Sequence, residues 1–110
     1  MSKSKIDLDK VFKALADPTR REIFHLIVVT GLAVTITDVS AKFNITRQGT
    51  TKHLKVLENA GMIHIRNERR VRLCEANLKA LKSLRDWLDF YDAFWSDKLK
   101  GLDEFLSKNQ

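Results

Sequence analysis

The sequence predicts a mainly α-helical fold of about five helices and one small two-stranded β-hairpin, and three observations carry that prediction. Apolar residues recur at spacings of three and four along most of the chain, and capping or turn residues punctuate them; only the stretch 62–74 alternates apolar with polar residues. At 110 residues the chain is the size of one domain with its own core. A single domain over 1–110 is therefore expected.

Ile6, Leu8, Val11, Phe12 and Leu15 share one side of a helix, which places the first element within 1–16 and ends it near Ala16. Asp17 caps a second helix with Pro18 at its first position, where a missing N–H costs nothing, and Gly31 ends it. Ile23, Leu26 and Ile27 are its apolar side. Val34-Thr35-Ile36 has strand character, but Thr35 followed by Asp38 has the form of a capping box, so a short helix through Phe43 is predicted, with Val39 and Phe43 facing inward. Asn44-Ile45-Thr46 forms a turn, and Thr46 caps a helix from Arg47 to about Asn59 that Gly61 terminates. Residues 35–59 thus read as two short helices joined by a tight turn.

Met62 to Arg66 and Val71 to Cys74 flank Asn67-Glu68-Arg69-Arg70 and read as a hairpin over 62–74. Beyond Asn77, the residues Leu81, Leu84, Leu88, Tyr91, Trp95, Leu99, Leu102 and Leu106 step by three and four without a proline, which describes one long helix or two abutting ones over 77–109.

Charge is unevenly spread. The net +6 concentrates in residues 47–74, where seven basic side chains face only Glu58 and Glu68 for a local +5, while residues 75–110 sum to −1. A basic segment of that density matches a polyanionic partner, because neutralised phosphates release condensed counterions. No apolar run approaches the roughly 20 residues that span a bilayer, and no secretory leader is legible, so a cytoplasmic location is expected. The lone cysteine, Cys74, allows neither an internal disulfide nor a Cys-x-x-Cys pair. No nucleophile, base and orienting group come together and no glycine-rich phosphate loop occurs, so neither catalysis nor a small-molecule substrate is expected.

Double-stranded DNA is the partner that this order of elements fits. The helix opening at Arg47 suits a major groove entered by its amino end, and an arginine-rich hairpin directly after it suits the neighbouring backbone or minor groove. Together they describe a winged helix-turn-helix. Arg47 and Gln48 have the reach and hydrogen-bond geometry to read guanine and adenine edges, while Thr46, Thr50 and Thr51 suit phosphates or a thymine methyl. Lys52, Lys55, Arg66, Arg69, Arg70 and Arg72 are expected to hold phosphates without regard to sequence. His53 follows the groove-facing turn and is expected to bond a phosphate or the neighbouring helix.

The segment Ala14-Leu15-Ala16-Asp17-Pro18-Thr19-Arg20-Arg21-Glu22-Ile23 resembles the second-helix opening of the ArsR-type winged helix-turn-helix repressors. Thr51-Lys52-His53-Leu54-Lys55-Val56-Leu57-Glu58-Asn59-Ala60-Gly61-Met62-Ile63 resembles the same family's recognition helix running into the wing. The resemblance spans most of the chain and implies an obligate homodimer built from the first and last helices, repressing from a palindromic operator. Two positions depart from the family pattern: Gly49 lies inside the recognition helix, at about 0.5 to 1 kcal/mol relative to alanine, and the wing tip Asn67-Glu68 lacks the usual glycine.

Relatives of this fold sense metals through cysteines on the third helix or Asp and His ligands on the last. The segment 35–43 has neither Cys nor His, and 77–109 has no His, so those ligand sets do not carry over. His25, His53, His64 and Cys74 match no zinc spacing, and no metal or other cofactor is expected. Redox sensing at Cys74, a metal-responsive derepressor and a non-specific architectural protein remain as alternatives. The dimer interface is expected to comprise Phe12, Leu15, Trp87, Leu88, Tyr91, Phe94, Trp95, Leu99 and Leu102, since this is more aromatic surface than one small chain readily buries.

Overall fold

A computed structural model describes residues 6–108; the portions of the expected first and last helices at 1–5 and 109 lie outside the described residues. The elements run α1 (Leu8–Leu15), α2 (Pro18–Thr30), β1 (Val34–Thr35), α3 (Ile36–Phe43), α4 (Arg47–Asn59), β2 (Ile63–Glu68), β3 (Val71–Ala76) and α5 (Leu78–Lys108). Five helices and a wing are present, and α5 is one unbroken helix.

The expected caps form. Asp17 accepts from the Arg20 N–H at 2.9 Å with Pro18 at the first turn of α2, and Gly31 closes that helix at φ 71°, where a residue with a Cβ is strained. Both readings of 34–36 hold at once, because Thr35 is extended at φ −84° and ψ 156°. Its backbone pairs in β1 while its hydroxyl accepts from the Asp38 N–H at 3.0 Å and starts α3. The sheet consequently has three antiparallel strands in the order β1-β3-β2 instead of two, with Val34 opposite Cys74 and Thr35 opposite Leu73.

The hairpin is longer than its alternation predicts. Asn67 and Glu68 pair with Arg72 and Val71, which shrinks the turn from four residues to Arg69-Arg70. Arg69 takes φ 60°, so an arginine supplies the left-handed position that glycine would ordinarily fill.

The core gathers one side of every element: Val11 and Ala14 from α1, Ile23, Phe24 and Ile27 from α2, Ile36 and Val39 from α3, Leu54 and Leu57 from α4, and Met62, Ile63 and Cys74 around the sheet. Of α5 only Ala80 is buried among the described residues. At 1.5 Å per residue the 31-residue helix is about 46 Å long, and most of it extends past the domain. The radius of gyration, 19.1 Å, far exceeds the ~13 Å expected of a compact chain this size.

Arg20 ties three helices together. Its guanidinium donates to the carbonyls of Ala14 (2.9 Å) and Lys13 (3.1 Å) at the end of α1, and its other nitrogen lies 3.5 Å from His53 Nδ1 on α4. The Arg20 N–H beside Asp17 holds that carboxyl below the usual carboxylate range, helped by the positive charge of Arg20 and opposed by partial desolvation. A depressed folded pKa contributes stability above the unfolded value and loses it as pH falls through the folded one. Asparagine caps a helix about as well as aspartate but does not titrate. Asp17→Asn should therefore unfold more readily at neutral pH by thermal melting, with the gap to the parent closing in acid; a gap independent of pH would refute the electrostatic account.

Candidate nucleic-acid interface

The amino end of α4 is exposed because the rest of that helix is anchored. Leu54 and Leu57 are in the core, and a chain of hydroxyls fixes the first turns to α3: Ser40 Oγ donates to Thr50 Oγ1 at 2.9 Å, and Thr50 Oγ1 donates to the Thr46 carbonyl at 2.9 Å. Thr50 is 0% exposed. Its expected contact with DNA is therefore corrected: the side chain at spacing four from Thr46 faces α3, where it sets the angle between the two helices.

Thr46, Arg47 and Gln48 stand exposed at the open end, and Arg47, Gln48 and Thr51 line a shallow hollow on the outer surface of α4. Thr46 Oγ1 accepts from the Gly49 N–H at 2.9 Å. A Cβ at Gly49 would lie 3.1 Å from that oxygen, so glycine leaves room for the cap in a helix it otherwise weakens. Thr51 is half-buried and its hydroxyl donates to the Arg47 carbonyl at 2.9 Å, which leaves the oxygen's lone pairs for a partner. Lys52 and Lys55 are exposed on the same helix. His53 is half-buried against Arg20, so of its two expected contacts the structure shows the one to the neighbouring helix.

The wing arginines are not equivalent. Arg69 and Arg70 are exposed at the tip. Arg72 sits opposite Asn67 and Arg66 opposite Leu73, so alternation along the strands points Arg66 and Arg72 to opposite faces. Arg66 is occupied: its Nε bonds Glu75 Oε1 at 3.2 Å and a terminal nitrogen bonds Glu68 Oε2 at 3.1 Å, and the two carboxylates raise its pKa further. That pairing was not legible in the sequence, because Glu75 comes beside Arg66 only when β2 and β3 are in register.

Among the described residues no three His, Cys, Asp or Glu side chains gather as metal ligands would, and no buried side-chain nitrogen or oxygen lacks a partner. Cys74 is fully buried between Ile65 and Val34, and burial pushes its thiol up to about 11, which suppresses the reactive thiolate. No described helix is long and apolar enough to cross a membrane.

The surface foreseen as a dimer interface lies on α1 and α5. Phe12 packs edge-on against Trp87 at 5.0 Å, and Trp87 against Tyr91 at 4.9 Å. Leu88, Phe94, Trp95, Leu99 and Leu102 are all exposed, whereas Leu15 is half-buried against the chain's own core. Phe90, 67% exposed, adds to this uncovered apolar surface and is not among the residues the sequence reading named. It lies one step off the main ladder, on a second line of three and four through Trp87, Phe90 and Phe94 that could have found it.

Removing the carboxylates that hold Arg66 should release its charge to a phosphate. In Glu68→Gln/Glu75→Gln, affinity for duplex DNA should rise and the dependence of log K on log salt should steepen by about one unit, measured by fluorescence anisotropy. An unchanged slope would mean that Arg66 does not approach the backbone.

Residues 15–66 match the family model described as a helix-turn-helix domain. The chain is similar to the transcriptional repressor SdpR of Bacillus subtilis, 31% identical over 81 residues that cover 74% of this chain and 88% of that protein. Among solved structures it is similar to the ArsR family transcriptional regulator RHA00566, with a TM-score of 0.73 and 28% identity over 81% of this chain and 90% of that one. It also shares its fold with the homodimeric winged helix-turn-helix DNA-binding domain Mb0332 of Mycobacterium bovis, TM-score 0.63 and 16% identity, covering 77% and 78% of the two chains. With the helix-turn-helix, the wing and these relatives in agreement, the chain belongs to the ArsR-type winged helix-turn-helix family and is a DNA-binding transcriptional regulator.

Proposed function

We propose that this regulator is a sequence-specific repressor that acts in the cytoplasm as a homodimer on a palindromic operator, without catalysis. The observation that carries the reading is the rigid presentation of Arg47 and Gln48. Both are exposed on the first turn of a helix whose tilt is held by the Ser40–Thr50–Thr46 hydroxyl chain. Preorganised side chains of that length suit bidentate contacts with guanine and adenine in the major groove. Lys52, Lys55, Arg69, Arg70 and Arg72 supply phosphate attraction that does not depend on sequence. Thr46 and Thr51 retain oxygen lone pairs at the same end of α4, so hydroxyl contacts are assigned to them and not to Thr50.

Pairing supports specificity as well as affinity. Two copies place two recognition helices about 34 to 36 Å apart, one DNA turn, and double the number of bases read. The uncovered apolar face of α5, together with Phe12 on α1, is the surface through which the copies join. The homodimeric assembly of Mb0332 and the repressor role of SdpR are consistent with this arrangement.

Duplexes selected from a random pool should bind at least about a thousandfold better than random DNA at physiological salt. A flat preference would favour an architectural protein instead. Arg47→Ala should cost about 1 to 3 kcal/mol on the selected duplex and much less on random DNA, as read by competition binding. Trp95→Ala should weaken self-association in sedimentation equilibrium and operator binding with it; an unaltered sedimentation profile would remove Trp95 from the interface.

A further inference from the structure

Three helix ends converge on one cleft that Arg47, Gln48 and Thr51 do not line. The start of α1 at Asp7, the close of α4 at Asn59 to Gly61 and the residue before α5, Asn77, enclose about 440 Å³, a volume within the range of small-molecule sites. Its walls are fixed by polar and apolar contacts. Asn77 Nδ2 donates to the Gly61 carbonyl at 2.8 Å, the Asn77 main-chain N–H donates to the Met62 carbonyl at 2.8 Å, and Asn77 Oδ1 accepts from the Lys79 N–H at 3.3 Å. On the other side Ile6 approaches so closely that a Cβ at Gly61 would lie 2.9 Å from its Cδ1. The cleft is thus built into the turn that joins α4 to β2.

Its charges are of both signs. Asp7 and Glu58 bring two carboxylates and Lys10 and Lys79 two ammonium groups, and His64 of β2 also lines the space. Among the described residues the ion pairs are those of Arg66, so these four charges share one cleft without neutralising one another. Helix ends sort with them: the carboxyl end of α4 adds partial negative charge beside Glu58, and the amino end of α5 adds partial positive charge beside Lys79. Among the described residues no three His, Cys, Asp or Glu groups gather closely enough to ligate a metal ion. A phosphate would meet two carboxylates. Opposite charges held apart across one small space suit a molecule that carries both signs itself.

We propose that this cleft binds a zwitterionic small molecule of the amino-acid type and that its occupancy changes the affinity for DNA. The ammonium group meets Glu58 and the carbonyl end of α4, and the carboxylate meets Lys10 and Lys79. The path to the DNA-binding surface is short. Glu58 belongs to the helix that presents Arg47 and Gln48, and Gly61 joins that helix to β2, which leads to Arg69 and Arg70 at the wing tip. Lys10 and Lys79 belong to α1 and α5. A ligand that draws those two lysines toward Glu58 changes the setting of α4 and the wing against α1 and α5, and no second chain is needed for it to do so.

The test screens the proteinogenic L-amino acids one at a time, at millimolar concentration, against the full chain by thermal melting, and measures those that raise the midpoint by isothermal titration calorimetry. At least one should raise the midpoint, because a ligand that binds only the folded chain stabilises it by mass action. The amine and the carboxylic acid that share its side chain each carry one of the two charges and should bind about tenfold more weakly or worse. Lys10→Gln and Glu58→Gln should each weaken binding by about the same factor while melting like the parent without ligand. In fluorescence anisotropy, saturating amino acid should shift the affinity of the parent for its selected duplex severalfold and leave that of both variants nearly unchanged. The proposal is overturned if no amino acid moves the midpoint, if the amine or the acid alone binds as well, if both variants bind normally, or if the saturated parent holds its duplex with unaltered affinity. In every one of these cases DNA binding by the unliganded chain still stands.

Discussion

Apolar surface that one chain cannot cover for itself is the constraint on which the molecule depends. Burying such surface gives about 25 cal/mol per Å², and a helix of 31 residues with one apolar side exposes a great deal of it to water. The remaining elements close a tidy core around Leu54, Leu57, Met62 and Ile63, but they reach only the beginning of α5. From Arg85 to Lys108 that helix is exposed in the single chain. In the proposed dimer, pairing sets the spacing between the two surfaces that meet DNA, so packing far from the nucleic acid decides what length of duplex the protein can read.

A short chain of hydrogen bonds joins the end of α1 to α4. Arg20 grips the last carbonyls of α1, a helix of the proposed interface, and reaches His53 on the recognition helix, while Asp17 anchors the same residue from the start of α2. On the other side of α4, Ser40 and Thr50 hold its first turns to α3. Helix α4 is thus fastened at both flanks by polar contacts and along its length by Leu54 and Leu57. A recognition helix held this firmly loses little conformational freedom on binding, which favours discrimination between sequences over mere adhesion.

Electrostatics in the wing are more selective than a count of arginines implies. Arg69 and Arg70 project at the tip, but Arg66 is held between Glu68 and Glu75 on the outer face of the hairpin. An arginine already satisfied by two carboxylates must exchange them for a phosphate, which makes its contribution to affinity, and to the salt dependence of affinity, smaller than that of its neighbours. The absence of glycine at the turn has a related cost, since Arg69 occupies a left-handed backbone conformation to place a cation at the very tip.

Local chemistry was legible in the sequence wherever one residue or one periodic run decides the structure. Asp17-Pro18, Gly31, Thr35 and Thr46 announce their helix ends because caps act within three residues, and the three-four ladder from Leu81 to Leu106 announces helix because apolar periodicity is a property of the run itself, although only the structure shows one helix there and not two abutting ones. What required the tertiary structure was every feature that brings distant residues together. Thr50 looks like its exposed neighbours until α3 packs over it, the third strand exists only because Val34 finds Cys74, and Arg66 is neutralised only when strand register carries Glu75 alongside. Side chains separated by many residues meet through packing, and packing is a three-dimensional outcome that spacing along the chain does not encode.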